Sequence, residues 1–181
     1  MSSEELQELH EHAEHAKHDP TIAPVSMTMA ILAVLVAVVS LLGHRAHTEE
    51  VLLQNKASDQ WAYYQAKNIR RHNDELFADL TAITPAKDAA QLDKLREKYS
   101  QEADRYRDEQ KEIETEARKL ESEVAGERAR ADRYDLGEVF LEVALVITSI
   151  TLLTKRRIFW SAGLVLGVVG LIIAGTGWLI H

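Results

Sequence analysis

The residues best suited to chemistry fall in two clusters. The first is a tail in which His10, His12, His15 and His18 alternate with Glu8, Glu11 and Glu14. On a helix Glu11 and His15, or Glu14 and His18, stand four apart on one face and His12 and His15 three apart. Imidazole and carboxylate so placed offer a weak site for Zn, Ni or Cu. His-rich tails also take up divalent metals adventitiously, and a solvated tail accounts for the same residues. The second cluster is His44, His47, Glu49 and Glu50 with Asp135, Glu138 and Glu142. Glu138 and Glu142 share a helix face, and Glu142 lies about 9 Å past Leu136, where an apolar run has begun. A carboxylate at that depth points to proton or cation passage, or with His44 and His47 to a metal site; the plainer reading puts both carboxylates at headgroup level. The sequence contains no glycine-rich phosphate loop, nucleophile elbow or H-E-x-x-H, which argues against an enzyme and implies no cofactor. With 0 Cys there is no disulfide, no Cys-ligated metal and no thiol nucleophile.

The elements that would position these residues follow from segregation. The 181 residues are 46% hydrophobic and 28% charged, with a mean hydropathy of -0.22, averages that look soluble. The apolar residues, however, collect at 22–43 and after Leu136, and the charged ones between. One mixed globular core is thereby excluded. A net charge of -8 argues against a nucleic-acid partner, which needs a basic stripe.

Each apolar run is long enough for a membrane helix of ~20 residues. The expected spans are 22–43, 136–154 and 158–180, with Lys155-Arg156-Arg157 as a tight turn between the last two. The acidic leader, and the lack of a small-x-small site in Gly43-His44-Arg45-Ala46-His47, favour an uncleaved anchor over a signal peptide. The basic turn is expected in the cytoplasm together with the tail 1–21, leaving the middle region on the other side. Arg45, Arg128, Arg130 and Arg133 make that side basic too. Gly163, Gly167 and Gly170, followed by Ala174, form a small-residue stripe on the third span, and Ala30, Ala33 and Ala37 form one on the first. Such stripes let helix backbones approach, either between spans one and three of one chain or between copies. Trp160 and Trp178 mark the ends of the third span, where aromatics favour the interface.

The middle region, 44–135, is rich in helix formers and is broken at 84–88 by Pro85. Its second arm repeats at seven residues through Leu92, Tyr99, Tyr106, Ile113, Leu120, Glu127 and Tyr134, and four later through Arg96, Ala103, Gln110, Ala117, Val124 and Ala131. The first arm reads Ala62, Ile69, Leu76 and Ile83, with Leu53, Ala57, Trp61, Ala66 and Leu80 near the same face. These are coiled-coil seams with charged flanks. The arms match in length, so the fold class is an all-α membrane protein: three transmembrane helices, with a long antiparallel helical hairpin between the first and second that reaches roughly 60 Å from the bilayer. Trp61, Tyr63, Tyr64, Tyr99 and Tyr106 exceed what one seam hides, so self-association or a partner helix along the stalk is expected. For Trp61 and Tyr106 packing within the chain is the safer reading.

The segment Ala57-Ser-Asp59-Gln60-Trp61-Ala62-Tyr63-Tyr64-Gln65-Ala66-Lys67-Asn68-Ile69-Arg70, the Phe140-Leu141-Glu142-Val143-Ala144 span and the Trp160 to Trp178 ending resemble a family of small bacterial membrane proteins known as domain of unknown function DUF4337. The likeness runs over nearly the whole chain after the first twenty residues. It implies a bacterial inner-membrane location, glutamine at the position of Glu142 and no His-rich tail, and it supplies no activity. It directs attention to Asp59, Gln60, Trp61, Tyr64, Gln65 and Lys67. Gln60, Tyr64 and Lys67 share one helical stripe and Trp61 and Gln65 the next, forming a polar lock between hairpins or a recognition surface. The leading expectation is a structural or interaction protein in the lipid bilayer that forms a homo-oligomer and offers its hairpin to a possible protein partner. An ion or proton pathway built around Glu142 of several copies, and a metal-responsive module using the tail, are the alternatives.

Overall fold

The structure is a computed structural model that describes residues 22–85 and 88–180. His10, His12, His15 and His18, and with them the metal reading of the tail, lie outside the described residues. Among the described residues the chain is all-helical: α1 is Ile22–Ile83, α2 is Ala89–Thr154 and α3 is Arg157–Gly177. All three are long and apolar enough to cross a membrane. The 21 residues of α3 extend about 31 Å, close to the thickness of a hydrocarbon core.

The helix ends have local causes. At the end of α1 Thr84 Oγ1 donates to the Leu80 carbonyl at 2.7 Å, just before Pro85. Asp88 starts α2 by accepting the Gln91 N–H on Oδ1 at 3.2 Å, which satisfies a first-turn donor. Lys155 ends α2 with a left-handed φ of 53° while its N–H donates to the Thr151 carbonyl at 2.8 Å, the cap geometry usually given to glycine.

The chain divides into two compact units, one of the residues up to His47 and from Gly126 onward, the other Thr48–Ala125. The first, apolar unit has a core of Leu32, Val39 and Ala46 from α1, Ala131, Tyr134, Leu141 and Ala144 from α2, and Ala174 from α3. It takes in 126–135, which the charge pattern assigns to the middle region, because Ala131 and Tyr134 keep the buried seven-residue frame while Asp132, Arg133 and Asp135 stay exposed. Along α1 the buried residues Val25, Leu32, Val39 and Ala46 fall every seventh position, the spacing that keeps one stripe facing its partners over many turns.

In the second, charged unit, rising positions of α1 meet falling positions of α2. Trp61 bonds Glu121, Lys67 bonds Glu109, Arg107 bonds Glu75 and Phe77 stacks on Tyr99. The contacts therefore run antiparallel. The α2 side buries Ala103, Gln110, Ile113 and Ala117 and half-buries Leu92, Tyr99, Tyr106 and Leu120, the face its heptads predict, although Arg96 is exposed.

Candidate interaction sites

In the apolar unit α3 lies against α2 through its small residues. Gly163, Gly167, Gly170, Ala174 and Gly177 are all buried. A Cβ on Gly170 would sit 2.9 Å from the Gly137 carbonyl oxygen, and a Cβ on Gly137 would sit 2.9 Å from that of Gly170, so the backbones touch. A Cβ on Gly163 would meet Thr148, and one on Gly167 would lie 2.9 Å from Leu32 of α1. The glycine stripe is thus used within the chain, and mainly toward the second apolar segment rather than the first. Ala30, Ala33 and Ala37 are exposed, so the stripe on the first segment takes no part in packing against α3.

The carboxylate–histidine cluster assembles only in part. His47 Nε2 lies 2.9 Å from Asp135 Oδ2, joining α1 to α2 with both side chains about half exposed. Among the described residues no group of three or more His, Asp or Glu that could hold a metal ion is found. Glu138 is half-buried, whereas Glu142 is exposed among Val139, Val143 and Val146, on the outside of the unit rather than in its interior.

In the charged unit Lys67, one of the residues expected to form a lock, makes contacts within the chain. Lys67 Nζ donates to Glu109 Oε2 and lies 4.9 Å from the centre of the Tyr106 ring and 5.3 Å from that of Tyr63. The hydrogen bond from Lys67 holds the Glu109 carboxyl below its ordinary range, and the same bond raises the Lys67 ammonium, with Tyr63 adding to it. Trp61 donates through Nε1 to Glu121 at 2.9 Å and meets Tyr64 edge-on, ring centres 5.5 Å apart. Gln60, Tyr64 and Lys67 are half-buried, while Asp59 and Gln65 are exposed. The profile described as domain of unknown function DUF4337 matches residues 21–180, including all of these positions. The chain belongs to the DUF4337 family. No curated protein and no solved structure matches it.

The DUF4337 segment departs from the sequence reading on its other face. Ala62, Ile69, Leu76 and Ile83, read as the inward seam of the first arm, are exposed; Ile69 is 62% and Ile83 78% accessible. The inward positions are Gln60, Tyr64, Lys67, Arg71, Asp74, Ala78 and Thr81. The frame is set upstream, by buried Leu53 and Ala57, whose seven-residue continuations are these residues. On this inner face Lys67 is satisfied from α2 by Glu109 and the Tyr106 ring, while Arg71 turns to Asn68 and Glu75 of its own helix.

Two features of this DUF4337 chain escaped sequence reasoning. Gly137, the partner of Gly170, was readable as part of a stripe with Ala144, Thr148 and Thr151 at seven, four and three. A cleft at the basic turn brings Thr151, Lys155, Arg157 and Trp160 together with Pro24, and no spacing rule links the start of α1 to that turn.

Proposed function

We propose that this DUF4337 protein is a multi-pass membrane protein of structural or interaction type, bacterial and in the inner membrane. Its charged unit is an antiparallel coiled-coil hairpin outside the bilayer through which copies self-associate. The observation that carries the reading is the outward face of the first arm. Ala62, Ala66, Ile69, Asn73, Leu76, Leu80 and Ile83 alternate at four and three residues, all are exposed, and all but Asn73 are apolar. An apolar heptad seam in water is a helix-pairing surface, and one Asn at a core position is the residue such seams use to fix register and partner number. Flanking Gln65, Arg70, His72 and Asp79 present no block of like charge to a second copy. Copies anchored in one membrane emerge on the same side, so the seams would pair in parallel, Asn73 against Asn73. Burying an exposed Ile or Leu contributes about 1.5–3 kcal/mol each.

The chain has 0 Cys, so single cysteines report cleanly. In native membranes N73C should form a disulfide dimer under mild oxidation, whereas K111C, on an exposed position of α2, should not. Equal cross-linking of both, or a monomer by native mass spectrometry that I69K/L76K leaves unaltered, removes the self-association reading.

The exposed carboxylate of Glu142 on an apolar face supports a second reading. Costly in lipid, it is relieved if several copies gather it around a shared ion or proton path. Glu142→Gln should then abolish flux in proteoliposomes, and unchanged flux discards the path.

A further inference from the structure

The cleft at the α2–α3 turn has a volume of about 170 Å³ and lies wholly within the apolar unit. Its lining combines Lys155 and Arg157 with Thr151 and Trp160, over a floor of Pro24, Val25 and Leu152. We propose that it binds the headgroup of an anionic phospholipid.

Three independent features converge there. The first is the start of α3. Arg156 at its N-cap is extended and makes no side-chain cap, so a helix of 21 residues directs uncapped first-turn N–H groups and the positive end of its dipole at the turn. That is the geometry that receives phosphate oxygens. The second is charge: Lys155 and Arg157 both line the cleft. The third is Thr151. Its neighbours on α2 turn their hydroxyls back on the helix, Thr148 to the Ala144 carbonyl at 2.7 Å and Thr154 to the Ile150 carbonyl at 2.9 Å. Thr151, only 6% accessible, makes no such bond, and its Oγ1 is left without a partner in the wall of the cleft. A buried hydroxyl without a partner is costly, and a phosphodiester oxygen supplies the acceptor.

The rest of the lining selects a lipid over a free anion. Pro24, Val25 and Leu152 offer apolar surface for the glycerol and the first methylenes of an acyl chain. The Trp160 indole, fixed by donating Nε1–H to Thr28 Oγ1 at 3.1 Å, stands where amphipathic rings mark the edge of a bilayer. Two cations with a helix N-terminus favour a net negative headgroup over a zwitterionic one, since each Lys or Arg adds its attraction only when the headgroup keeps its charge.

The inference rests on the membrane placement proposed above and not on self-association. The full-length protein, purified in mild detergent, is analysed by native mass spectrometry with phosphatidylglycerol and with phosphatidylcholine of matched chains. Phosphatidylglycerol should be retained roughly tenfold more strongly. The preference should vanish in K155G/R157Q. Glycine suits the left-handed φ at 155, so this variant removes charge without endangering the turn. T151V should weaken retention a few-fold with an unchanged melting temperature, and K111Q, a charge loss in the other unit, should leave it unaltered. Equal retention of the two lipids, or retention indifferent to K155G/R157Q, overturns the site. So does inorganic phosphate that displaces the lipid at equal concentration, which would make it a free-anion site. Release of the chain from membranes by alkaline carbonate would instead overturn the membrane placement itself, so the two failures are told apart.

Discussion

In the apolar unit Gly137 and Gly170 press the backbones of α2 and α3 together, each carbonyl 2.9 Å from where the other residue's Cβ would be. In the charged unit bulky side chains stand between α1 and α2: Trp61 on Glu121, Phe77 on Tyr99, and Lys67 reaching Glu109 past the ring of Tyr106. Both units bury residues at seven-residue spacing, so the repeat itself does not distinguish them. On the membrane placement proposed above, what differs is the means of attraction that the surroundings leave available. Water rewards burial of any apolar surface, so helices there associate through large side chains at the distance those side chains impose. Lipid does not, and close backbone contact takes over.

This contrast can be broken most severely at a glycine. Gly170→Leu drives a side chain into the Gly137 carbonyl and should destabilise the apolar unit by about 3 kcal/mol, measured by thermal unfolding in detergent, while cross-links within 48–125 persist. Tolerance of leucine there would mean that the close approach is not needed. The corresponding cut in the charged unit is milder. Lys67→Met should cost about 1 kcal/mol in denaturant unfolding, since the Lys67–Glu109 pair is only partly shielded from water. Gly126 sharpens the comparison from the other side. A Cβ there meets nothing within 4 Å, so Gly126→Ala should stabilise α2 by about 0.5–1 kcal/mol.

The smallest expected effect is that of pH on the same pair. Glu109 is held below its ordinary range by the hydrogen bond from Lys67, so its contribution is complete above the ordinary carboxylate pKa of about 4.3 and fades as the pH falls through the lowered value. Lys67 is raised, so its contribution is complete below about 10.4 and is lost as the pH climbs through the raised value. Stability should be flat between those limits and decline outside them, and Lys67→Met should flatten the two shoulders. Unaltered shoulders in the variant would assign them to other groups, among them Asp108, which the hydrogen bond from Lys111 also lowers.

Much of this was legible in the residues because it depends on long, uniform patterns. The three apolar segments follow from runs dominated by Val, Leu, Ile and Ala, and the break near Pro85 from backbone sterics. The α2 seam followed too, since from Leu92 to Tyr134 its apolar residues and its buried frame coincide. On α1 they part. The apolar series Ala62 to Ile83 has an equally good repeat, yet the frame inherited from Leu53 and Ala57 turns it outward. Periodicity finds a stripe but does not say which of two stripes faces the partner when polar contacts such as Lys67–Glu109 can satisfy the inner one. For Glu142 the depth along α2 is readable, but its azimuth depends on which face Gly137, Leu141 and Ala144 present to the neighbouring helices.

The contact between Gly137 and Gly170 also bears on biosynthesis. Only Lys155 and Arg156 separate α2 from α3, so the second and third apolar segments leave the ribosome almost as one stretch and can meet early. In that pair Thr148 is bonded to the Ala144 carbonyl and covered, whereas Glu142 stays exposed beside Val139, Val143 and Val146. In a membrane setting such a pair is suited to leave the translocon as one ready-made wedge, with the first apolar segment docking on it afterwards through Leu32.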